Sequence, residues 1–563
     1  MKDYDVCIIG SGAGGGPVAL QLSKAGYDVL VLEKGPFLKR EDLYKDELAC
    51  CRRSVYTPDL KDEHHVIEDY DGKDEAGNYK WSSESTTQSG WDFWNGNMVG
   101  GATNLMSGFF HRLKPEDFRL KTEFGAIQDA NVVDWPISYE DLEPYYTMVE
   151  NTVGISGEIK PHPFQEPRSS KDFPYPPTQE HPITGFIDSA CDAMNLHSLR
   201  TPRAILSTPQ LNARNSCEYS GYCGSYGCAS GAKGSSREAL INVALATGKC
   251  TVLANSKVTK LVSDQTGKVK HAEYIDSKNA THRISAKIFV VACQAVETSR
   301  LLLLSTGPKH TSGLGNHSGQ VGKNIVFSAG GSGYGEFYYK DYSAELAEKL
   351  KLRGPFVNRY LQDWYVINDK KLGRLKGGTV ELLLRHPNPI SRANNVKWDE
   401  NDKLVWGSQL KQQLKTEFTE RQSLRYEIFC DWLPTDDCFV SLAKNEKDKW
   451  GSPVAKLRVG YHDHDLVVGK YILDKTKHVF KRMGAKDISG SVSGSPPANL
   501  QAGGCRFGRD PASSVLDPEC RIHTAENVFV TDGSWMPTGG SVPYTWTIYA
   551  NAFRVAEVIK KQL

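Results

Sequence analysis

Near its start the chain alternates short apolar runs with small residues. Val6, Ile8 and Ile9 predict a strand, Ala19, Leu20 and Leu22 share one face of a following helix, and Val29 to Leu32 predict a second buried strand closed by Glu33. From Glu41 to Trp94 polar, acidic and aromatic residues follow no clear period, which reads as a long excursion. Pro and Ser thicken between Pro161 and Pro182, marking a boundary or an extended connection. Ser235 to Ser305 returns to an α/β pattern, with a helix near Glu238 to Thr247, a strand pair over Val252 to Ile275 and a strand from Lys287 to Ala292. Alternation at Thr379 to Arg385 and Tyr426 to Asp431 predicts strands of a second lobe over about 320–485. A strand from Asn527 to Thr531 and a helix from Trp546 to Ile559 close the chain. α/β signals at both ends of a β-rich middle predict one domain built from separated pieces.

Composition narrows the class without changing that picture. With 563 residues, 39% hydrophobic and 24% charged, the chain is ordinary globular protein, so disorder, collagen and coiled coil are set aside. That length suits two to four domains or one large two-lobed enzyme. Lys and Arg number 68 against 67 Asp and Glu, so there is no basic excess of the kind that binds nucleic acid, and no such partner is expected. No run approaches the roughly 18 apolar residues of a membrane span, so none is expected. The first residues show neither a basic region nor a cleavage site, so no export signal is expected in this chain. Most of the 13 cysteines are scattered, as buried reduced thiols of a non-secreted protein would be.

The first candidate for chemistry is Gly10-Ser-Gly12-Ala13-Gly-Gly15, set between the first strand and helix. Gly10 permits a tight turn, Gly12 lets backbone approach a pyrophosphate, and Gly15 lets helix and strand pack closely. The helix N-terminus offers N–H groups to phosphate, and Glu33 can accept from a ribose hydroxyl. This predicts a dinucleotide site, but FAD and NAD are not separated by the motif alone.

Further blocks carry a family resemblance. Asn95-Gly-Asn-Met-Val-Gly100-Gly101-Ala-Thr-Asn104 with His111-Arg112, then Cys293 to Ser305, resemble the two signatures of the glucose–methanol–choline (GMC) flavoprotein oxidoreductases. Asp134-Trp-Pro136 with Tyr145-Tyr146 is similar to the family's segment leading into the substrate lobe. Gly503 to Gly508 and Asn527 to Thr538 resemble the C-terminal block that closes on the flavin. The branch it resembles most is the flavoprotein subunits of gluconate 2-dehydrogenase, sorbitol and fructose dehydrogenases.

The resemblance implies an α/β fold: a discontinuous Rossmann-like FAD-binding domain with a β-sheet-based (α+β) substrate lobe. The FAD-binding domain would comprise 1–130, 231–320 and 491–563, with a substrate or cap segment carrying a cysteine cluster at 131–230 and the substrate-binding sheet lobe at 321–490. It implies FAD held by Gly10, Gly12, Ala13, Gly15, Glu33, Gly100, Gly101, Asn104, Val258, Asp532, Gly533 and Thr545. Some relatives tether FAD through a histidine after the double glycine; Ala102 to Met106 has none, so non-covalent FAD is expected.

Alcohol oxidation needs a base for the hydroxyl proton and a polar group for the developing alkoxide. The family places a His and a His or Asn at positions that fall here on Leu500 and Pro543, and neither transfers a proton. Asn499, Gln501 or Tyr544 is expected to substitute, with Tyr544 the only titratable one. Alternatives are a histidine from elsewhere (His111, His310 or His317) or loss of ordinary alcohol oxidation in favour of an electron-transfer or assembly role.

Cys217, Cys223 and Cys228 fall within twelve residues among small and turn residues. Three thiolates suit a three-iron cluster, zinc would want a fourth ligand, and a disulfide would leave one thiol over. Sugar dehydrogenases of the branch carry such a cluster, so a 3Fe-4S centre relaying electrons is expected here. Cys50 and Cys51 are read as structural. Tyr360, Trp364, Tyr426 and Trp432 at strand spacing are read as core before a sugar platform.

The expected activity is FAD-dependent oxidation of a CH–OH group of a sugar, polyol or sugar acid, by hydride transfer to flavin N5. The branch further implies a redox partner, with a small signal-bearing subunit and a cytochrome, and so a cytoplasmic protein or one carried to the periplasm by its partner.

Overall fold

The protein was analysed as a computed structural model that describes residues 4–43, 45–49, 51, 63–73, 75–76, 79–89, 95–209, 214–399, 401–494 and 500–563. Strand β1 (Tyr4–Ile9) leads through the glycine turn to helix α1 (Gly15–Lys24) and back to strand β2 (Val29–Leu32). β2 lies parallel between β1 and Cys250–Leu253, and β1 lies parallel to the second half of the long strand Thr281–Val291. Beyond it, Val528–Val530 runs parallel to Phe289–Val291, while the first half of Thr281–Val291 turns into an antiparallel ribbon with Val269–Ile275 and Lys257–Ser263. Three stretches far apart in sequence thus share one sheet. Its central strands are buried on both faces, as a parallel sheet covered by helices requires. α1 packs on the C-terminal helix Thr545–Gln562, which buries Ile548, Ala552, Val555 and Ile559 at helical spacing.

A second sheet of five antiparallel strands runs in the order 359–361, 378–384, 421–430, 331–338 and 486–491. Successive side chains of its strands point to opposite faces. Val380, Leu382, Leu424, Tyr426 and Ile428 join the core with Ile472, Val479 and Phe480 of helix Asp463–Arg482. That helix starts with Asp463 and Asp465 and ends with Lys481 and Arg482, each sign placed where the helix dipole favours it. Glu381 and Glu427, directly opposite in register, fall on the other face.

A third sheet, ordered 501–504, 323–327, 439–447, 453–459, 66–73 and 79–85, holds the one clear departure from the sequence reading. The stretch expected to lack periodicity carries the hairpin Val66–Lys73 and Tyr79–Ser85, and its first strand pairs parallel with Lys456–Val459. Charge hid it: Glu68 is buried and engages Lys456 and, at 2.8 Å, Arg458 on the neighbouring strand, so a core-facing position reads as polar. Of the aromatics weighed as a sugar platform, Tyr426 and Trp432 are buried in cores and Trp364 packs on one of them. Tyr360 lies edge-on to His111, with ring centres 4.7 Å apart.

Candidate active site

The glycine turn is built as its sequence demands. Gly10 has φ +97°, and a Cβ there would lie 2.3 Å from the Ala292 carbonyl oxygen; at Gly15 it would lie 2.0 Å from that of Gly10. Only glycine fits either place, the first also for its left-handed backbone. No side chain caps α1 and no acid sits in its first turn, leaving its positive end open to an anion. Glu33 closes the loop from below. Its carboxylate accepts from the Ser11 N–H (3.1 Å), the Ser11 hydroxyl (2.6 Å) and the Gly35 N–H (2.9 Å). The Ser11 hydroxyl oxygen in turn accepts from the Gly100 N–H at 2.9 Å, and Ser236 donates to the Ser11 carbonyl at 2.7 Å. One serine therefore ties three glycine-bearing segments together.

This turn forms one end of a cavity of about 390 Å³ that runs to the second sheet. Gly10, Gly12, Ala13, Glu33, Gly101, Val258, Asp532, Gly533 and Thr545 line it. Gly15, Gly100 and Asn104 stand behind its wall: Gly15 against Gly10, Gly100 on Ser11, and the Asn104 amide donating to the Val99 and Gly101 carbonyls at 3.0 Å each. Asp532 holds the closing block, accepting from Ser534 N–H (2.8 Å), Gln294 N–H (3.2 Å) and the Thr298 hydroxyl. The residues fit FAD. The turn is a cradle that a Cβ would fill, and both polar atoms of the buried Asn95 side chain, on the cavity wall, have no partner among the described residues.

The expected catalytic substitutes fare differently. Tyr544 lines the cavity, but it is buried and its hydroxyl donates to the Leu500 carbonyl oxygen. Burial, with the Asp431 charge behind it, holds the phenol well above its usual range and so in its protonated, hydrogen-bond-donating form. Gln501 is buried on the wall at the start of its strand, Leu500 holds φ +59° beside it, and Asn499 lies outside the described residues. None of the three histidines considered lines the cavity. His111 pairs with the buried Glu381, His310 meets the Gly267 carbonyl at 3.1 Å, and His317 meets that of Pro511 at 3.0 Å.

Two titratable groups that sequence reasoning passed over do line it: His386 and Glu427. His386 follows the predicted strand ending at Arg385, and its ring lies against Gly224, where a Cβ would sit 2.4 Å from Cε1. Glu427 is the polar member of the Tyr426 to Asp431 alternation. An acid between Tyr426 and Ile428, in the most apolar part of the strand, was the available signal.

Cys217, Cys223 and Cys228 line a second cavity, also about 390 Å³, which shares Ser107, Phe109, Gly224 and His386 with the first. The three cysteines pack against a small cluster of Ile205, Leu206 and Ala232, and each thiol meets a local partner: Cys217 the Tyr219 N–H (3.4 Å), Cys223 the Ser107 carbonyl (4.0 Å), Cys228 the Lys233 N–H (3.5 Å). Burial raises the Cys217 thiol to about 12, whereas Cys228, despite its own burial, is lowered by the Lys233 charge and by hydrogen bonds. Among the described residues no three His, Cys, Asp or Glu side chains form a group that could hold a metal ion, so the expected cluster gains no support here. Cys51 is buried and accepts from the Asn388 amide at 3.6 Å; Cys50 lies outside the described residues.

Comparison with known proteins decides the family. The two models of the GMC oxidoreductases match residues 181–328 and 434–552. The chain is a GMC oxidoreductase. It is 29% identical to paromamine 6'-oxidase of Streptomyces fradiae, covering 100% of this chain and 92% of that protein. It is 26% identical to the fructose dehydrogenase large subunit of Gluconobacter japonicus, covering 99% and 98%. Formate oxidase of Aspergillus oryzae has the same fold, with a TM-score of 0.62 at 14% identity over 100% of this chain and 98% of that one. This GMC oxidoreductase is accordingly an FAD-dependent enzyme of alcohol- and sugar-type substrates. No described helix is long and apolar enough to cross a membrane.

Proposed function

We propose that this GMC oxidoreductase oxidises a CH–OH group of a sugar, polyol or sugar acid and passes the electrons to a redox partner. The bound flavin supplies the two-electron acceptor. The chain's own residues bind it through the glycine turn, Asn95 and the Asp532 block, and present the substrate from the sheet end of the cavity. The observation that carries this reading is the continuity of one cavity from the Gly10 turn to the half-buried carboxyl and imidazole of the second lobe. Anaerobic addition of gluconate, sorbitol, fructose, 2-methyl-1,2-propanediol or paromamine to the holoprotein should bleach the flavin with at least one of them. Bleaching by dithionite and by none of these would leave the rival, a flavin-bearing electron-transfer or assembly subunit, whose support is Leu500 and Pro543 at the family's catalytic positions.

The exit for electrons belongs to the same proposal. Its specific form is a 3Fe-4S cluster on Cys217, Cys223 and Cys228, which line a cavity sharing a wall with the flavin cavity. Iron and acid-labile sulfide in stoichiometric amount, with an iron-dependent EPR signal in the oxidised protein, are the expected findings, and their absence removes the cluster. A small signal-bearing subunit and a cytochrome would complete a periplasmic assembly. Co-purification of the natively expressed protein tests that arrangement against a cytoplasmic monomer.

A further inference from the structure

Ten titratable side chains line the flavin cavity, and eight are committed. Glu33 holds Ser11 and Gly35, Lys34 pairs with Glu63 at 2.8 Å, and Lys257 and Arg300 share Asp448. Glu297 pairs with His65 at 2.9 Å, Asp532 holds Thr298 and Ser534, Cys293 donates to the Ile9 carbonyl at 3.4 Å, and Tyr544 donates to Leu500. His386 and Glu427 alone carry no hydrogen bond or ion pair to a described residue. Neither is fully buried, so each keeps hydrogen-bonding capacity toward the cavity that a ligand there can take in place of water. Both stand at the sheet end, on the second lobe, and line the same cavity as Leu500 and Pro543.

We propose that His386 takes the hydroxyl proton of the alcohol in this chain, and that Glu427 accepts a hydrogen bond from a second donor group of the same substrate. The proposal rests on the alcohol-oxidising reading above. In the step, the carbon-bound hydrogen leaves with two electrons to the flavin oxidant, and the O–H bond breaks. Its proton passes to the free imidazole nitrogen, and carbon and oxygen become doubly bonded. The imidazolium then returns its proton to solvent.

The surroundings suit these roles. Burial, then the Arg425 and Lys233 charges, hold the imidazole down at about 4, so it is neutral with an open lone pair at ordinary pH. Burial pushes the Glu427 carboxyl up, Arg425 opposes this, and Glu381 across the strand adds to it. Gly224 leaves room for the ring: any side chain there would strike His386 and the Ser107 hydroxyl. A neutral imidazole is the usual proton acceptor in such chemistry, and a positioned base contributes roughly 10²–10⁴-fold.

The test uses the holoenzyme and whichever of the five alcohols bleaches its flavin. His386→Gln should keep its bound flavin and its half-saturating alcohol concentration but be reduced about 100-fold more slowly or worse. His386→Ala should recover part of that loss when free imidazole is added, since the deleted ring opens onto two cavities. Glu427→Gln should raise the half-saturating concentration about tenfold with a smaller change in limiting rate. Independently of turnover, carbethoxylation of His386, followed by peptide mass spectrometry, should be slowed several-fold by saturating alcohol. Reduction of His386→Gln at the wild-type rate, loss in His386→Ala that imidazole leaves untouched, or labelling of His386 indifferent to alcohol would each overturn the proposal. If none of the five alcohols bleaches wild type, the alcohol-oxidising reading itself falls, a result distinct from a working enzyme that ignores His386.

Discussion

The two ends of the flavin cavity differ in how their polar groups are spent. At the glycine turn the side chains that shape the loop are held by protein, since the Glu33 carboxylate takes three hydrogen bonds and Ser11 joins three segments, and what stays open is the uncapped helix N-terminus and the Asn95 amide. At the sheet end His386 and Glu427 face the cavity without a hydrogen-bond or ion-pair partner among the described residues. An end that grips a cofactor of fixed shape gains by rigidity, because donors held in place lose no entropy when the ligand arrives. An end that must move a proton needs groups whose bonding capacity is still free. The contrast makes the first end a matter of backbone shape and the second a matter of side-chain chemistry.

The comparison breaks most readily at the rigid end. Gly15→Ala places a methyl 2.0 Å from the Gly10 carbonyl oxygen, a backbone atom that cannot step aside. The expected result is protein without bound flavin; a normal 450 nm band would show that the turn does not form the cradle. Glu33→Ala is next, since it strips two N–H groups and one hydroxyl of their acceptor in a buried loop. Each orphaned donor costs about 1–3 kcal/mol, so flavin affinity should fall by tenfold or more, read by equilibrium titration of the apoprotein. Tyr544→Phe sharpens the other side. The phenol is already donating to Leu500, so its loss should slow flavin reduction by less than about tenfold, well short of the 10²–10⁴-fold owed to a base. A collapse of reduction with intact flavin would return Tyr544 to the role the sequence suggested.

The rigid end was legible in the chain because its requirements are local. Gly10, Gly12 and Gly15 sit at fixed spacing between a strand and a helix, and the steric reasons for each act within a few residues or on one neighbouring strand. Asp532, Gly533 and Thr545 were legible only through resemblance: Asp532 comes to Gly14 through the long-range pairing of Val528–Val530 beside Thr281–Val291, and the other two share its cavity wall. His386 was not legible at all. Its place depends on the register of 378–384 against 421–430 and on Gly224, a loop residue more than 150 positions earlier, and no local pattern encodes such a meeting. The same holds for the hairpin at 66–85, whose buried Glu68 is explained only by Lys456 and Arg458 on another strand.

The smallest expected effect is on stability, and it bears on why His386 is free. An ordinary histidine titrates near 6.5, and in the fold this one is held at about 4. The unfolded chain therefore binds the proton first, so the folded state gains nothing from this residue below pH 4. It gains progressively as pH rises from 4 to 6.5 and keeps the gain above. Acidification from pH 7 to 4.5 should thus cost wild type a contribution of about 2 kcal/mol that His386→Gln does not lose, after allowing for the ring's partial contact with solvent. His162, also held low at about 3 by burial and the Lys114 charge, is common to both proteins and cancels in the difference. For a chain of this length the differential is about 2 °C in Tm, measurable by scanning both proteins at the two pH values. Equal acid shifts would mean that the imidazole takes up its proton in the fold as readily as in the unfolded chain, so that burial does not hold it neutral. The sheet end would then differ from the turn only in its open bonding capacity, and the fold would not set the protonation state of His386.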